Sequence, residues 1–397
     1  MSHPRLSSAI KLLGELIAFN TQSAKSNLSL VEHVSDYLQS IGIKSATRLD
    51  KSGEKASLLA HVGPAKNGGV ALSGHTDVVD ALGQKWQTPP FEITEKDGKL
   101  YGRGSCDMKG FIACVLASLP DFLAADLRLP AHVALSRDEE LGSIGMKDML
   151  ALIEESGLRP AAAIVGEPTC MAVVAGHKAG CEMKTVFTGS EAHSSMPDAG
   201  VSAVHYAARF VIFLQELSAK MAASPTPDSP FSPPYGTINV GMLNGGTALN
   251  IIAGHCEVMW HYRPLPTDDS DAVIGEVEKY LYDELLPQMR AGGHPAQIVN
   301  EAVARYPGLT PCADSPAVML AQSLSGLSNY AVVPFGADSG HFEKDNIPAV
   351  LIGPGDIAQA HKPDEFVEIS ELEKCLLFLD KLRERLSNDK PLAVKSN

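Results

Sequence analysis

Runs that are apolar almost without a break alternate with helical stretches over the first 175 or so residues, and this pattern constrains the chain more than any other feature. GVALSGHTDVV (69–79), AHVALS (131–136) and AAAIVG (161–166) read as buried strands. The segments around GELIAF and LVEHVSDYLQSIG, and FIACVLASLPDFL (111–123), carry apolar residues at helical spacing. A strand that is apolar on both faces needs cover on both sides, so the expected architecture is α/β, a mixed sheet with helices on both faces.

The texture changes near residue 178. EMKTVFTG (182–189), TINVGML (237–243) and CEVMWHYR (256–263) alternate apolar and polar residues as half-exposed strands do, and VSAVHYAARFVIFLQELSAK and DAVIGEVEKYLYDELLPQM read as amphipathic helices. The order strand, helix, strand, strand, helix, strand, closing on AQIVNEAVA (296–304), predicts an inserted α+β domain of the split βαβ kind. SPTPDSPFSPP (224–234) is a loop within it, and α/β character returns with AVVPFG, IPAVLIGPG and SELEKCLLFLDKLRERL. The expected division is 1–177 and 294–397 for the first domain and 178–293 for the insert, with NDKPLAVKSN as a loose tail.

A length of 397 residues agrees with two or three domains. Lys and Arg number 33 against 47 Asp and Glu, a net charge of −14, which argues against broad binding to nucleic acid or to an anionic membrane. A small, locally bound ligand fits better. The seven cysteines are scattered and contain no CxxC pair, as expected for reduced thiols in the cytoplasm. Lys11 and Glu15 interrupt the first apolar stretch, which reads as an amphipathic helix and not as a signal peptide, and no apolar run approaches the roughly 20 residues of a membrane span.

Five places end an apolar strand, or open the helix after one, with a side chain able to bind a metal: His75 in SGHTD, Asp107 in GRGSCDMKG, Glu139 and Glu140 in SRDEELG, Glu167 in VGEPT, and His361 in AQAHKPDEF. In open α/β sheets the ligand site lies beyond the carboxyl ends of the strands, so residues distant in sequence can converge there. Two histidines and several carboxylates without a thiolate suit Zn²⁺, Co²⁺ or Mn²⁺. A shared carboxylate is what two neighbouring cations require, and Asp107, beside a Gly-rich turn, is the candidate. Asp77, two residues from His75, is placed to accept the second imidazole N–H.

Glu139 and Glu140 are adjacent, and in an extended chain they point to opposite sides. One can hold a metal while the other takes a proton from water and returns it to a leaving amine. Taken singly each motif has an ordinary reading: Glu-Glu as a solvated helix start, Gly-Glu-Pro as a turn, His-Lys-Pro as a surface loop. Their joint occurrence at strand ends favours function.

HTD (75–77), GRGxxDMKG (102–110), DEELGSIG (138–145), GEPT (166–169), GSEAHSSMPDAG (189–200) and QAHKPDEF (359–366) together resemble the signature blocks of the M20 metallopeptidase and deacylase family, over essentially the whole chain. HKAGCEMKTVFTGSEAHSS and GPGDIAQAHKPDEF look closest to its acetylornithine deacetylase branch. The resemblance implies two Zn²⁺, with Co²⁺ as an alternative, His75 and Glu167 on one, Glu140 and His361 on the other, Asp107 shared, Glu139 as general base and Asp77 supporting His75. It also implies a homodimer formed through the inserted domain, with His193 reaching the partner's site to stabilise an oxyanion. Arg263 and Asn250 would hold a substrate carboxylate, and the backbone of Gly353 to Gly355 would add N–H donors. Asp80 departs from the family, where many members carry Pro after HTDVV; this bears only on the rim of the pocket.

The expected activity is removal of a small acyl group from an N-acyl amino acid, acetylornithine first, with a desuccinylase, an aminoacylase, an exopeptidase or a non-catalytic binder as rivals. Elsewhere the simplest readings are a linker for His177, a pocket or packed surface position for His341, a packed thiol for Cys106, a helix start for Lys109 and a solvated helix face for the acidic residues at 268–284.

Overall fold

The computed structural model describes residues 2–388 and 392, so the tail expected at NDKPLAVKSN lies outside the described residues except for Asn388 and Leu392. Two compact units result, one of Met1–His177, Leu309–Val332 and Ala337–Asn397, the other of Lys178–Gly308 and Val333–Gly336.

The first unit begins with helices α1 (Leu6–Ala18) and α2 (Leu28–Ser40) and strands β1 (Ser45–Leu49), β2 (Ala56–Val62) and β3 (Val70–His75). A short hairpin, β4 (Thr94–Lys96) and β5 (Lys99–Tyr101), precedes α3 (Lys109–Ala124), β6 (Ala131–Ser136), α4 (Met146–Ser156), β7 (Ala162–Val165) and β8 (Val174–His177). In the second unit β9 (Gly180–Thr188) leads to α5 (Ala203–Ala222), β10 (Thr237–Gly245), β11 (His255–Arg263) and α6 (Ser270–Lys279), which continues through a π-helical turn (Tyr280–Leu285) into α7 (Leu286–Arg290) and then β12 (Gln297–Tyr306). The chain ends with α8 (Pro316–Ser325), β13 (Ala331–Val333), α9 (Ser339–Lys344), β14 (Ala349–Leu351), β15 (Phe366–Glu368) and α10 (Ile369–Ser387).

Eight strands form the large sheet in the order β1-β2-β6-β3-β7-β14-β8-β13, and β15-β5-β4 form a small one. At its centre β6, β3, β7 and β14 run parallel, whereas β2 and β8 are antiparallel to their neighbours, so the sheet is mixed. Side chains alternate between its two faces. Leu58, Ala60, Val70, Leu72, Val133, Leu135 and Ile164 join one core with α1, α2, α3, α8 and α10. The residues between them, Leu59, Ala71, Ala134 and Val165, are equally buried on the opposite face. There α4, with Met146, Met149, Leu152 and Ile153 buried, lies against β1, β2 and β6, and α9 against β7 and β14. Cover on both faces is why these strands read as continuous apolar runs.

The β2–β6 register places His61 opposite His132, with their Nδ1 atoms 2.7 Å apart. His132 Nε2 lies 2.9 Å from the Gly68 carbonyl and must donate to it, so in neutral His132 Nδ1 accepts from His61 Nδ1. Burial, aided by His132, holds the His61 pKa down at about 4, and burial also lowers that of His132. A histidine whose folded-state pKa is depressed binds fewer protons than it does unfolded, so stability increases with pH between about 4 and the unfolded value near 6.5 and is lost on acidification through that window. His61→Asn is expected to flatten the fall in Tm between pH 6.5 and 4; an unchanged slope would remove the pair as its cause.

The second unit packs α5 and α6 against an antiparallel sheet ordered β10-β11-β9-β12, a split βαβ arrangement. Phe187, Phe210 and Trp260 stack edge to face and tilted at its centre. Burial alternates along β9 and β11, as the period-2 pattern requires. Sequence reading places the return to the first domain at 294, but β12 pairs along its length with β9 and the second unit extends to Gly308. Ladder hydrogen bonds, not composition, set that boundary. Among the described residues no helix is long and apolar enough to cross a membrane.

Candidate metal centre

Strands β3, β6 and β7 are adjacent and parallel, so their carboxyl ends open on one edge of the sheet. His75 is the last residue of β3, Glu139 and Glu140 occupy the turn after β6, and Glu167 follows β7. Asp107 comes from the turn between β5 and α3, and His361 from the loop between β14 and β15. Gly166 lets Glu167 approach, since a Cβ there would lie 2.0 Å from the Phe111 ring.

His75, Asp107 and Glu167 bring one ligand atom each within 4.8 Å of one another, and Asp107, Glu140 and His361 do the same. Asp107 belongs to both groups. Its Oδ1 lies 3.0 Å from His75 Nε2, and its Oδ2 lies 3.4 Å from His361 Nε2. His361 Nε2 is also 3.1 Å from a Glu140 oxygen. Glu167 Oε1 is buried without a hydrogen-bond partner. A buried carboxylate oxygen left unpaired costs free energy unless a cation or water meets it. Two donor sets of imidazole and carboxylate that share one bidentate carboxylate fit two divalent cations of the Zn²⁺ type. Side-chain exposure is 1% for His75 but 54% for His361, so the cluster opens on the His361 side.

The electrostatics agree with a site short of positive charge. Burial, reinforced by the Asp107 charge, pushes the Glu167 and Glu140 carboxyls above their ordinary range. Burial also raises Glu139, with Glu167, Asp338 and Glu140 adding to it and His75 opposing. Burial works against protonated His75, yet the hydrogen bond and charge of Asp107 outweigh it and raise the imidazole. Hydrogen bonds to Asp107 and Glu140 push His361 up to about 10. Hydrogen bonds from His361 and His75 hold Asp107 down against its burial. The imidazoles stand in here for cationic charge.

Asp77 acts differently from the sequence expectation. His75 Nδ1 meets the Asp77 backbone carbonyl at 2.9 Å, with the carboxylate at 3.7 Å. That carboxylate instead accepts the Glu139 N–H at 3.0 Å, the Glu140 N–H at 3.2 Å and the Ser23 hydroxyl at 2.8 Å. It pins the turn carrying both glutamates, which is not extended as expected: Asp138, paired with Lys55 and Arg137, takes a φ of +53° and starts the turn. Gly353 and Gly355 are a second correction. Their N–H groups donate to the Thr169 hydroxyl and the Glu371 carboxylate, so neither is spare for a substrate.

His177 is no linker but the buried end of β8, with Nε2 2.8 Å from the Ser339 hydroxyl. His341 is half-buried on α9, and burial pushes its pKa down to about 4. Cys106 is buried and its thiol pushed upward by that burial, which makes it a poor nucleophile. Lys109 opens α3 and is fully buried, donating to the Leu16 and Phe19 carbonyls. Of the acidic residues at 268–284, Asp269 caps α6. Sequence reading passed over Asp338, a buried carboxylate bonded to Ser136 at 2.6 Å, and Glu365 and Arg103, although both of the latter lie inside quoted motifs. A single carboxylate in GADSGH carries no sequence signal.

In the second unit His193 is exposed, its Nδ1 2.7 Å from the Ser195 hydroxyl. Asn250 sits on an exposed turn and accepts the Ser194 N–H. Arg263 ends β11 and donates to the Tyr306 hydroxyl at 3.1 Å.

The profile of peptidase family M20/M25/M40 matches residues 71–385. An acetylornithine deacetylase of Myxococcus xanthus is 36% identical over 371 residues, 91% of this chain and 93% of its own length. One from Pasteurella multocida is 32% identical over 96% of this chain and 97% of its own. Among solved structures, an M20 family metallo-carboxypeptidase of Sulfolobus solfataricus superposes with a TM-score of 0.76 at 17% identity, over 96% of this chain and 99% of that one. Human carnosine dipeptidase 1 gives 0.75 at 16% identity, over 96% and 97%. These last two speak to the fold alone. With the family profile covering most of the chain, two groups of metal-compatible donors at one sheet edge and relatives above 30% identity throughout, the chain belongs to peptidase family M20/M25/M40 and is a metal-dependent amide hydrolase.

Proposed function

We propose that the chain removes the acetyl group of N2-acetyl-L-ornithine, giving L-ornithine and acetate for arginine biosynthesis. The observation that carries the chemistry is that Asp107 belongs to both donor groups, with Glu139 close enough to interact with His75, Glu140 and Glu167. The substrate rests on the acetylornithine deacetylases that are 32–36% identical over nearly the whole chain.

Two Zn²⁺, or Co²⁺ in their place, would be held by His75 and Glu167 on one side and Glu140 and His361 on the other, with Asp107 between; when bound they polarise the amide carbonyl and acidify a water molecule. Glu139 takes the proton of the attacking water and passes it to the departing nitrogen. One C–O bond forms, the C–N bond breaks, and the amine leaves protonated. Asp77 holds the Glu139 backbone for that task. His193 of a second copy stabilises the oxyanion, and Arg263 and Asn250 hold the substrate carboxylate. Strand β10, an edge strand with Met242 and Leu243 exposed, supports pairing of two copies through the second unit. All seven cysteines are free, in support of a reducing, cytoplasmic setting.

Steady-state rates of the Zn²⁺- or Co²⁺-loaded protein on N2-acetyl-L-ornithine, N-succinyl-diaminopimelate, N-acetyl-L-methionine and a dipeptide test this reading. Expected is a preference in kcat/KM for the first by about tenfold or more, the scale on which pocket contacts discriminate. A preference for another member of the panel overturns the substrate; cleavage of none favours a binding protein.

A further inference from the structure

We propose that Arg103 and Glu365 form a positioning pair that ties the Asp107 turn to the His361 loop and so sets the affinity of the Asp107–Glu140–His361 position more than that of the His75–Asp107–Glu167 position. The inference rests on the two-cation reading above. Each of the two residues is 1% exposed. Glu365 Oε2 accepts from Arg103 Nη1 at 2.8 Å and from the Gly104 N–H at 3.0 Å, and Oε1 accepts from the Cys106 and Asp107 N–H groups at 2.9 and 3.0 Å. One carboxylate therefore holds the backbone of the turn that presents Asp107.

The guanidinium reaches the other way. Arg103 Nη1 donates to the Lys362 carbonyl, and Nη2 donates to the Asp80 carbonyl and to Gln84 Oε1 at 2.6 Å. Gln84 in turn donates to the His361 carbonyl at 3.0 Å, and Asp364 accepts the N–H groups of Gln87 and Thr88. Trp86 covers the guanidinium, whose carbon is 5.0 Å from the ring centroid.

The His361 loop needs such support. His361 and Asp364 have φ of +63° and +55°, a region that residues other than glycine occupy when their surroundings hold them there. His75 and Glu167 stand at the ends of central strands in the buried sheet, whereas His361 is a half-exposed ligand with no strand beneath it. A fully desolvated ion pair is costly, and its use here is geometric: the fork of Arg103 and the two oxygens of Glu365 fix two loops in one arrangement.

Stepwise Co²⁺ titration of the metal-free protein, followed by visible absorbance and calorimetry alongside thermal melts, tests this on wild type, Glu365→Gln and Arg103→Lys. Wild type is expected to take up two equivalents. Both variants should retain the tighter equivalent and bind the weaker one about 10- to 100-fold less well, as loss of outer contacts to metal ligands does. Arg103→Lys keeps the charge but not the fork, and it carries the test if Glu365→Gln does not fold. Equal weakening of both equivalents, or a lower Tm with both affinities unchanged, overturns the positioning role. Fewer than two equivalents in wild type sinks the two-cation reading instead, and this inference with it.

Discussion

Glu139→Gln is expected to bind cations as wild type does and to lose turnover by about two to four orders of magnitude, the range over which a positioned acid or base contributes. Gln has the shape of Glu but cannot take up a proton, and Glu139 belongs to neither donor group. Its N–H contact to Asp77 is made by the backbone and survives the substitution. Burial raises the Glu139 carboxyl, with His75 opposing and the charges of Glu167, Asp338 and Glu140 adding to it. The measurement is kcat with elemental analysis of the same sample. A variant that keeps wild-type kcat removes Glu139 from the proton path, and one that loses its cations makes it a ligand.

Asp107→Asn should weaken both cations at once. The carboxylate is the one group common to both donor sets, and its two oxygens are divided between His75 and His361. Polarisation of the carbonyl by a metal is worth several kcal/mol. At about 1.4 kcal/mol per decade, its loss lowers kcat/KM by roughly three orders of magnitude. Glu167→Gln and Glu140→Gln are the controls, since each belongs to one set. Cation titration of the three variants distinguishes the arrangements: loss of a single equivalent in Asp107→Asn would show that the carboxylate is not shared.

How far these residues were legible in advance follows from where their determinants lie. His75, Asp107, Glu140 and Glu167 stand out in the sequence because each follows or ends a strongly patterned segment, and His361 because of its HKPDEF motif; the structure brings the five into two donor groups. Strands β3, β6 and β7 are legible in the sequence because central parallel strands are buried on both faces and read as unbroken apolar runs. For Asp77 the spacing points to the residue but not to its contact, because a two-residue spacing fixes the side of a strand and not the rotation of a carboxylate, which here turns to the Glu139 and Glu140 N–H groups. Gly353 and Gly355 carry no side chain to predict from, and their donors are consumed by Thr169 and Glu371, a threonine and a glutamate that no local pattern links to them. The boundary at 308 in place of 293 has the same origin, since β12 is claimed by a strand more than a hundred residues earlier.

Sequence by itself determined the periodicities, and through them the mixed α/β unit, the split βαβ insert and the set of side chains able to hold metal, because those depend on residue type and spacing along one chain. Tertiary structure alone decided which oxygens of Asp107 face which histidine, what Asp77 holds, and that Arg103 and Glu365 bind two loops together. Those contacts join segments up to 262 residues apart, and a hydrogen bond depends on distance and angle, which no linear pattern encodes.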